Sequence, residues 1–137
     1  DLKLFASGEY HDPLAKDYSD RLKSADNVVF IFPIWWYGVP AILKGFFDKV
    51  FLNGHTYQQN DKGEMIGILD TKKAIALTTA HIDKDSLSQF LGNPVETLYL
   101  DGIMKLCGVK ETEWIHCGNV HLEEPREAFI KEIKEKL

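Results

Sequence analysis

The sequence has few cysteines: only Cys107 and Cys117 occur among its 137 residues. Their spacing of ten positions matches neither a disulfide framework nor a zinc motif, so we expect two small core residues in a protein of the reducing cytoplasm. The histidines are scattered along the chain without the spacing of metal ligands. The sequence therefore predicts no metal site.

An excess of basic residues is also missing, since 16 Lys and Arg stand against 21 Asp and Glu, for a formal net charge of −5. Proteins that bind the phosphate backbone of nucleic acids cluster Lys and Arg on one surface. No basic block of this kind is present in the sequence. Nucleic acid is therefore not an expected partner.

Nor is any uncharged run long enough to cross a membrane. Residues 28–43 carry no charge over 16 positions, whereas a spanning helix needs about 20 apolar residues. Pro33, Gly38 and Pro40 fall inside this run and disfavour a continuous helix. A buried strand that leads into a loop and a helix explains the pattern better. Because no secretory signal, repeat or linker is apparent, we expect a single domain.

What is present is an alternation of predicted helices with predicted strands. Three apolar runs predict buried strands at residues 28–32, 73–79 and 113–117. We expect the first to be a central strand buried on both faces, because it is apolar at every position. Capping and proline signals predict helices that begin near Pro13, Pro40, Asp85, Pro94 and Pro125.

The order of these elements predicts the α/β class. Strands that alternate with helices pair in parallel through right-handed crossovers. The polar stretch at residues 55–71 contains Asp61-Lys62-Gly63, a turn signal that predicts a hairpin. Three parallel strands are few for such a sheet, since the mean is about five or six. We therefore expect further strands outside this sequence.

A loop rich in aromatic residues follows the first predicted strand, at residues 33–38 (PIWWYG). In open parallel sheets, ligands bind outside the carboxyl ends of the strands. Consecutive large aromatic side chains in such a loop cannot all point inward. Two interpretations remain open at this point: a site for a planar ligand, or a loop that packs on its own helix or at a subunit interface.

Residues 32–48 read FPIWWYGVPAILKGFFD. This segment closely resembles the signature of the flavodoxin-like NAD(P)H:quinone oxidoreductase family, which includes DT-diaphorase, modulator of drug activity B and ancillary proteins of potassium-efflux systems. The resemblance continues with lower identity over residues 1–137. It implies a flavodoxin-like doubly wound parallel sheet, of which strands 3 to 5 and their helices are present. The N-terminal strand, the phosphate loop and the second strand are then expected to be lacking.

The resemblance also implies a function. It points to a flavin-dependent NAD(P)H:quinone, or azo/nitro compound, oxidoreductase that transfers hydride through flavin N5 in a ping-pong cycle. The implied cofactor is FMN, with FAD as the alternative, and the hydride donor is NADPH or NADH. A quinone-like small molecule and a second copy in a homodimer are the implied partners. The alternatives are an ancillary subunit peripherally associated with a potassium-efflux antiporter at the membrane, and a non-catalytic dimerisation fragment.

The family's flavin contacts, transferred by position, fall on two loops of this sequence. They are Pro33, Ile34, Trp35, Trp36 and Tyr37 in the first loop, and Thr78, Thr79, Ala80 and His81 in the second. Tyr57 matches a position at the substrate mouth, with packing of the hairpin as the alternative role. Arg126 is either a contact to the flavin's phosphate or adenine, or a solvated side chain. No acid–base catalyst is identified.

The second loop departs from the family pattern, which reads Thr-Thr-Gly-Gly where this chain has Thr78-Thr79-Ala80-His81. Glycine lets the backbone approach a ring without a Cβ atom, so Ala80 and His81 are expected to shift the edge of the flavin. His81 is either a hydrogen-bond donor to flavin O2 or an exposed loop residue.

Overall fold

The computed structural model describes residues 7–137, and residues 1–6 of the predicted domain lie outside the described residues. Its parallel sheet has three strands, and a separate antiparallel hairpin has two. The strands are Asn27–Pro33 (β1), Tyr57–Gln59 (β2), Met65–Gly67 (β3), Lys73–Thr79 (β4) and Glu111–Cys117 (β5). The helices are Pro13–Ser24 (α1), Ala41–Val50 (α2), Lys84–Leu91 (α3), Val95–Lys105 (α4, with π-helical hydrogen bonding) and Glu123–Lys136 (α5).

The three parallel strands lie in the order β1-β4-β5 and end level with one another. Pro33 of β1 is the register partner of Thr79 of β4, and Thr79 is the partner of Cys117 of β5. This arrangement confirms the predicted α/β class and parallel pairing. The loops that follow the strands therefore begin side by side at one edge of the sheet.

β1 does not occupy the position that its apolar sequence predicts. Within residues 7–137 it is an edge strand, and β4 is the central one. Phe30 and Phe32 are buried on one face, whereas Val29 and Ile31 on the other face are 41% and 77% exposed. The prediction of a central strand buried on both faces is wrong for the described residues. The reason is that α5 covers β4 and β5 on that face but does not reach β1.

The hairpin and the break between α3 and α4 follow the sequence predictions. β2 pairs with β3 around the predicted turn at residues 61–63. Gly92 and Asn93 both take left-handed conformations, with φ of 67° and 53°, and this separates α3 from α4. No helix between residues 7 and 137 combines the length and apolar character needed to cross a bilayer.

A polar network is buried between β4 and β5. Trp114 Nε1–H donates to Thr78 Oγ1 at 2.7 Å, and His116 Nε2 lies 2.9 Å from the Ile82 carbonyl oxygen. A carbonyl can only accept, so Nε2 carries the proton and Nδ1 of the neutral ring accepts from the Thr78 hydroxyl at 2.8 Å. Neutral His116 thereby links the core to the loop that follows β4.

A network of ion pairs joins α5 to the sheet near the amino ends of β4 and β5. Glu113 of β5 lies 2.6 Å from Lys73 Nζ of β4 and 2.7 Å from Lys136 Nζ of α5. Lys136 also pairs with Glu132 at 2.7 Å. The hydrogen bond from Lys136, followed by that from Lys73, lowers the pKa of the Glu113 carboxyl. The carboxylate is thus stabilised in its charged form.

We expect Glu113→Gln to lower the free energy of unfolding by about 0.5–1 kcal/mol at pH 7, because Lys73 loses this ion pair and Lys136 keeps only its pair with Glu132. The folded pKa is lowered, so the contribution is present above the unfolded pKa of about 4.3 and is lost as the pH falls through the folded pKa. Urea unfolding at pH 7 and pH 4 measures both effects. Glu111→Gln, on an exposed carboxyl of the same strand, is the control. Equal losses in both variants would contradict this role.

The neutral state of His116 predicts a second pH effect. Burial lowers the pKa of His116; the Ile82 carbonyl partly offsets this, and the charge of Lys84 adds to it. The contribution of neutral His116 is therefore present above the unfolded pKa of about 6.5 and is lost as the pH falls toward the lower folded pKa. His116→Gln does not titrate. We expect its free energy of unfolding to fall less between pH 7 and pH 5 than that of the parent, in urea titrations at each pH. Parallel pH profiles would refute the assignment.

Candidate functional site

The two loops predicted to hold a ligand are directly connected in the structure. The backbone N–H of Ile34 donates to the carbonyl of Thr79 at 2.9 Å, one residue beyond the paired ends of β1 and β4. This bond places the aromatic loop beside the loop that follows β4. Pro33, Ile34 and Thr79 are therefore brought together as predicted, at the carboxyl edge of the sheet, where open parallel sheets bind ligands.

Residues 35–38 form a two-residue hairpin turn. Trp35 N–H donates to the Gly38 carbonyl at 3.1 Å, and Gly38 N–H donates to the Trp35 carbonyl at 3.0 Å. The central residues Trp36 and Tyr37 have φ of 49° and 66°, a left-handed conformation that is uncommon for residues other than glycine. Such strained residues cluster at functional sites. The strain therefore supports a functional role for this turn.

The turn directs its aromatic side chains away from the body of the chain. Trp36 is 95% exposed and Trp35 is 65% exposed, and Tyr37 is also exposed. The interpretation that this loop packs on its own helix is therefore wrong for Trp36. The exposed rings are therefore accessible to a ligand or to another polypeptide. A flat, exposed indole suits the face of a planar ring.

The four predicted positions of the second loop play different parts. Thr78 is fully buried, and its hydroxyl is engaged by Trp114 and His116, so its side chain supports the loop from the core. Thr79 and Ala80 are half-buried, and His81 is exposed. Any ligand contact from Thr78 is thus left to its backbone.

A third loop, which was not predicted from the sequence to be part of the site, lies at the same ends of the strands. It comprises residues 118–122 after β5. Its Val120 N–H donates to the Ala80 carbonyl at 3.0 Å, and its Asn119 N–H donates to the His81 carbonyl at 3.2 Å. A Cβ atom on Gly118 would lie 2.6 Å from Asp83 Cα, so only glycine permits this close approach. The signal available in the sequence was its position after the third strand.

Tyr57 lies apart from these loops within one chain. It is buried in β2, and this burial raises the pKa of its hydroxyl. Its neighbour Cys107 lies just before the amino end of β5. The backbone carbonyl of Cys107 accepts a hydrogen bond from Leu69 N–H at 2.9 Å. Tyr57 therefore lies toward the amino ends of the strands, away from the aromatic turn at their carboxyl ends. There its side chain packs between the hairpin and the core. Its role at a substrate mouth stays a prediction.

The remaining candidate groups are not reactive side chains. Burial raises the pKa of Cys107 to about 11 and also raises that of Cys117, so both thiols are protonated near neutral pH and unsuited to nucleophilic chemistry. Arg126 is exposed and donates to the Val120 carbonyl at 3.0 Å. Its guanidinium therefore borders the third loop.

The loops at the carboxyl ends of the strands form a surface that suits a planar ligand. It offers exposed aromatic faces from residues 35–37 and backbone groups from residues 79–81, and neither segment carries an acidic or basic side chain apart from His81. The buried network around Thr78 fixes the supporting loop. A planar, mostly apolar ring fits these features.

Comparisons with known proteins agree with this architecture. A family model described as a flavodoxin-like fold matches residues 3–137. An uncharacterized NAD(P)H oxidoreductase of Haemophilus influenzae is 30% identical over 115 residues, which are 82% of this chain and 56% of that protein. An FMN-dependent NADH:quinone oxidoreductase of Saccharophagus degradans is 29% identical over 135 residues, 98% of this chain and 62% of that protein.

A solved structure shows the same fold. The NAD(P)H:quinone oxidoreductase from Methanothermobacter marburgensis has a TM-score of 0.80 and 25% identity, and the match covers 96% of this chain and 68% of that one. The chain thus spans little more than half the length of the curated relatives it matches. The match over residues 3–137 and the parallel β1-β4-β5 sheet lead to one assignment. The chain belongs to the flavodoxin-like fold family.

Proposed function

We propose that the protein is an FMN-dependent NAD(P)H:quinone, or azo/nitro compound, oxidoreductase. The observation that carries this proposal is the exposed Trp36 turn, joined by the Ile34–Thr79 hydrogen bond to the loop after the next strand. The names of the relatives support the same chemistry, because they include FMN-dependent NADH:quinone oxidoreductases and an azoreductase from Bacillus anthracis.

The proposed flavin contacts come from two segments, the aromatic turn and the backbone of the loop after β4. Trp35 and Trp36 would contact the isoalloxazine ring, and the backbone of residues 79–81 would face its polar edge. FMN, when bound, supplies the hydride acceptor, and the overall reaction is NAD(P)H + H⁺ + quinone → NAD(P)⁺ + hydroquinone. An open face on the ring would serve the two substrates in turn, which gives ping-pong kinetics. The homodimer and the cytoplasmic location stay predictions.

We further infer that the open edge of β1 pairs with another strand in the complete domain. In residues 7–137 that edge has no partner strand. Val29 and Ile31 are exposed beside it, and a groove of about 740 Å³ runs along β1, α1 and α2. Natural sheets rarely leave an apolar edge uncovered. The greater length of the relatives supports this inference.

We expect Trp36→Ala in the full-length protein to weaken FMN binding by about 5- to 150-fold. The reason is that aromatic contact with a planar base contributes about 1–3 kcal/mol, and we take a flavin ring to behave similarly. Flavin fluorescence titration of the apoprotein measures this affinity. Phe90→Ala removes an exposed aromatic side chain from α3 and is the matched control.

Two results would count against this function. Unchanged FMN affinity in Trp36→Ala would show that the turn contacts something other than the flavin. A full-length protein that purifies without flavin, cannot be loaded with FMN and does not oxidise NADH or NADPH with a quinone would overturn the proposal as a whole.

The open edge has its own test. In the full-length protein, we expect Ile31→Ala to lower the free energy of unfolding by about 2–5 kcal/mol, as for a buried isoleucine. An isoleucine that stays 77% exposed would change stability by less than about 0.5 kcal/mol. Urea unfolding distinguishes the two outcomes, with Ile66→Ala on the hairpin as the control. A loss of less than about 0.5 kcal/mol would show that β1 stays uncovered.

A further inference from the structure

The loops after β4 and β5 bring two exposed histidines together. Nδ1 of His81 lies 3.1 Å from Nδ1 of His121, although the two residues are 40 positions apart in the sequence. Their ring centroids are 4.9 Å apart, and the ring planes differ by 30°. We propose that this pair binds a divalent transition metal ion that prefers imidazole nitrogen, such as Cu²⁺, Ni²⁺ or Zn²⁺.

The distance between the two nitrogens suits a shared ion. Imidazole nitrogens bind such metals at about 2.0–2.1 Å, so two of them lie about 2.8–3.4 Å apart when the angle at the metal is about 90–110°. The 3.1 Å separation of His81 and His121 falls within this range. If the two rings pointed straight at each other, with the nitrogens 3.1 Å apart, their centroids would be more than 4.9 Å apart. The rings are therefore inclined to each other, as two ligands of one ion must be. An ion bound to both Nδ1 atoms requires that each neutral ring carry its proton on Nε2.

Backbone hydrogen bonds hold the two loops together before an ion arrives. Ala80 N–H donates to the Cys117 carbonyl at 2.9 Å, Val120 N–H to the Ala80 carbonyl at 3.0 Å and Asn119 N–H to the His81 carbonyl at 3.2 Å. These three bonds join the residues next to both histidines. Binding therefore orders little additional backbone, which favours affinity.

The local groups determine the class of ion. Within residues 7–137, no group of three or more His, Cys, Asp or Glu side chains is arranged to hold a metal. Asp83, on the same loop, accepts from the N–H and hydroxyl of Ser86, and both nitrogens of His116 are engaged. The protein thus supplies two nitrogens, and water fills the other positions. Mg²⁺ and Ca²⁺ prefer oxygen ligands and are not expected to bind.

Among the remaining ions, affinity should follow the usual order for nitrogen ligands. Cu²⁺ is expected to bind more tightly than Ni²⁺ or Zn²⁺. The argument for the metal uses only the geometry of these two loops and no step of the flavin chemistry, although residues 79–81 belong to both proposed sites. It differs from the prediction of no metal site made from spacing along the sequence, because His81 and His121 are close only in the folded chain.

The test is metal titration of the full-length protein, purified without a histidine tag and followed by calorimetry with Ni²⁺ and with Zn²⁺. We expect one ion per chain. His81→Ala and His121→Ala should each weaken binding by more than about tenfold, because each removes one of two protein ligands. His11→Ala, at an exposed histidine on the segment before α1, should leave the affinity unchanged.

A second measurement needs no variant. Paramagnetic Ni²⁺ should broaden the amide resonances of residues 80–82 and 119–122 before any others. Binding that survives both His81→Ala and His121→Ala, broadening centred elsewhere, or the absence of saturable uptake would each overturn the proposal. Binding of Mg²⁺ with equal affinity would also overturn it, because it would show an oxygen site.

Discussion

The in-register parallel pairing of β1, β4 and β5 is the constraint on which the rest of this structure depends. Because Pro33, Thr79 and Cys117 are register partners across the sheet, three loops distant in sequence begin side by side. The Ile34–Thr79 hydrogen bond and the bonds between residues 80–81 and 119–120 then join these loops into one surface. A shift of one residue in register would separate them and reverse the faces of every side chain.

The core supports this surface through a few polar contacts. Thr78 is fully buried and receives the indole N–H of Trp114, while its own hydroxyl donates to His116. His116 in turn holds the carbonyl of Ile82. Each member has a partner, which is the condition under which a buried polar network stabilises a unique arrangement. The core thereby fixes the loop after β4, and the side of the loop that faces away from the core is accessible to a ligand.

Several elements could be predicted from the sequence because their signals are local. The strand at residues 73–79 was predicted at its observed bounds, since it is apolar and covered on both faces. The break at Gly92-Asn93 and the hairpin at residues 61–63 follow from turn chemistry. The aromatic turn could be singled out because large side chains followed a strand. The exposure of Ile31 could not be predicted, because it depends on which neighbours cover it.

The sequence by itself determined the α/β class, the order of helices and strands, and the candidate loop at residues 33–37, because hydrophobic period and turn residues act over a few positions. Only the tertiary structure decided that β4 is central, that Tyr57 lies away from the aromatic turn and that His81 meets His121. These features arise from contacts between residues about 40 positions apart. Strand order and register set such contacts, and no local pattern encodes them.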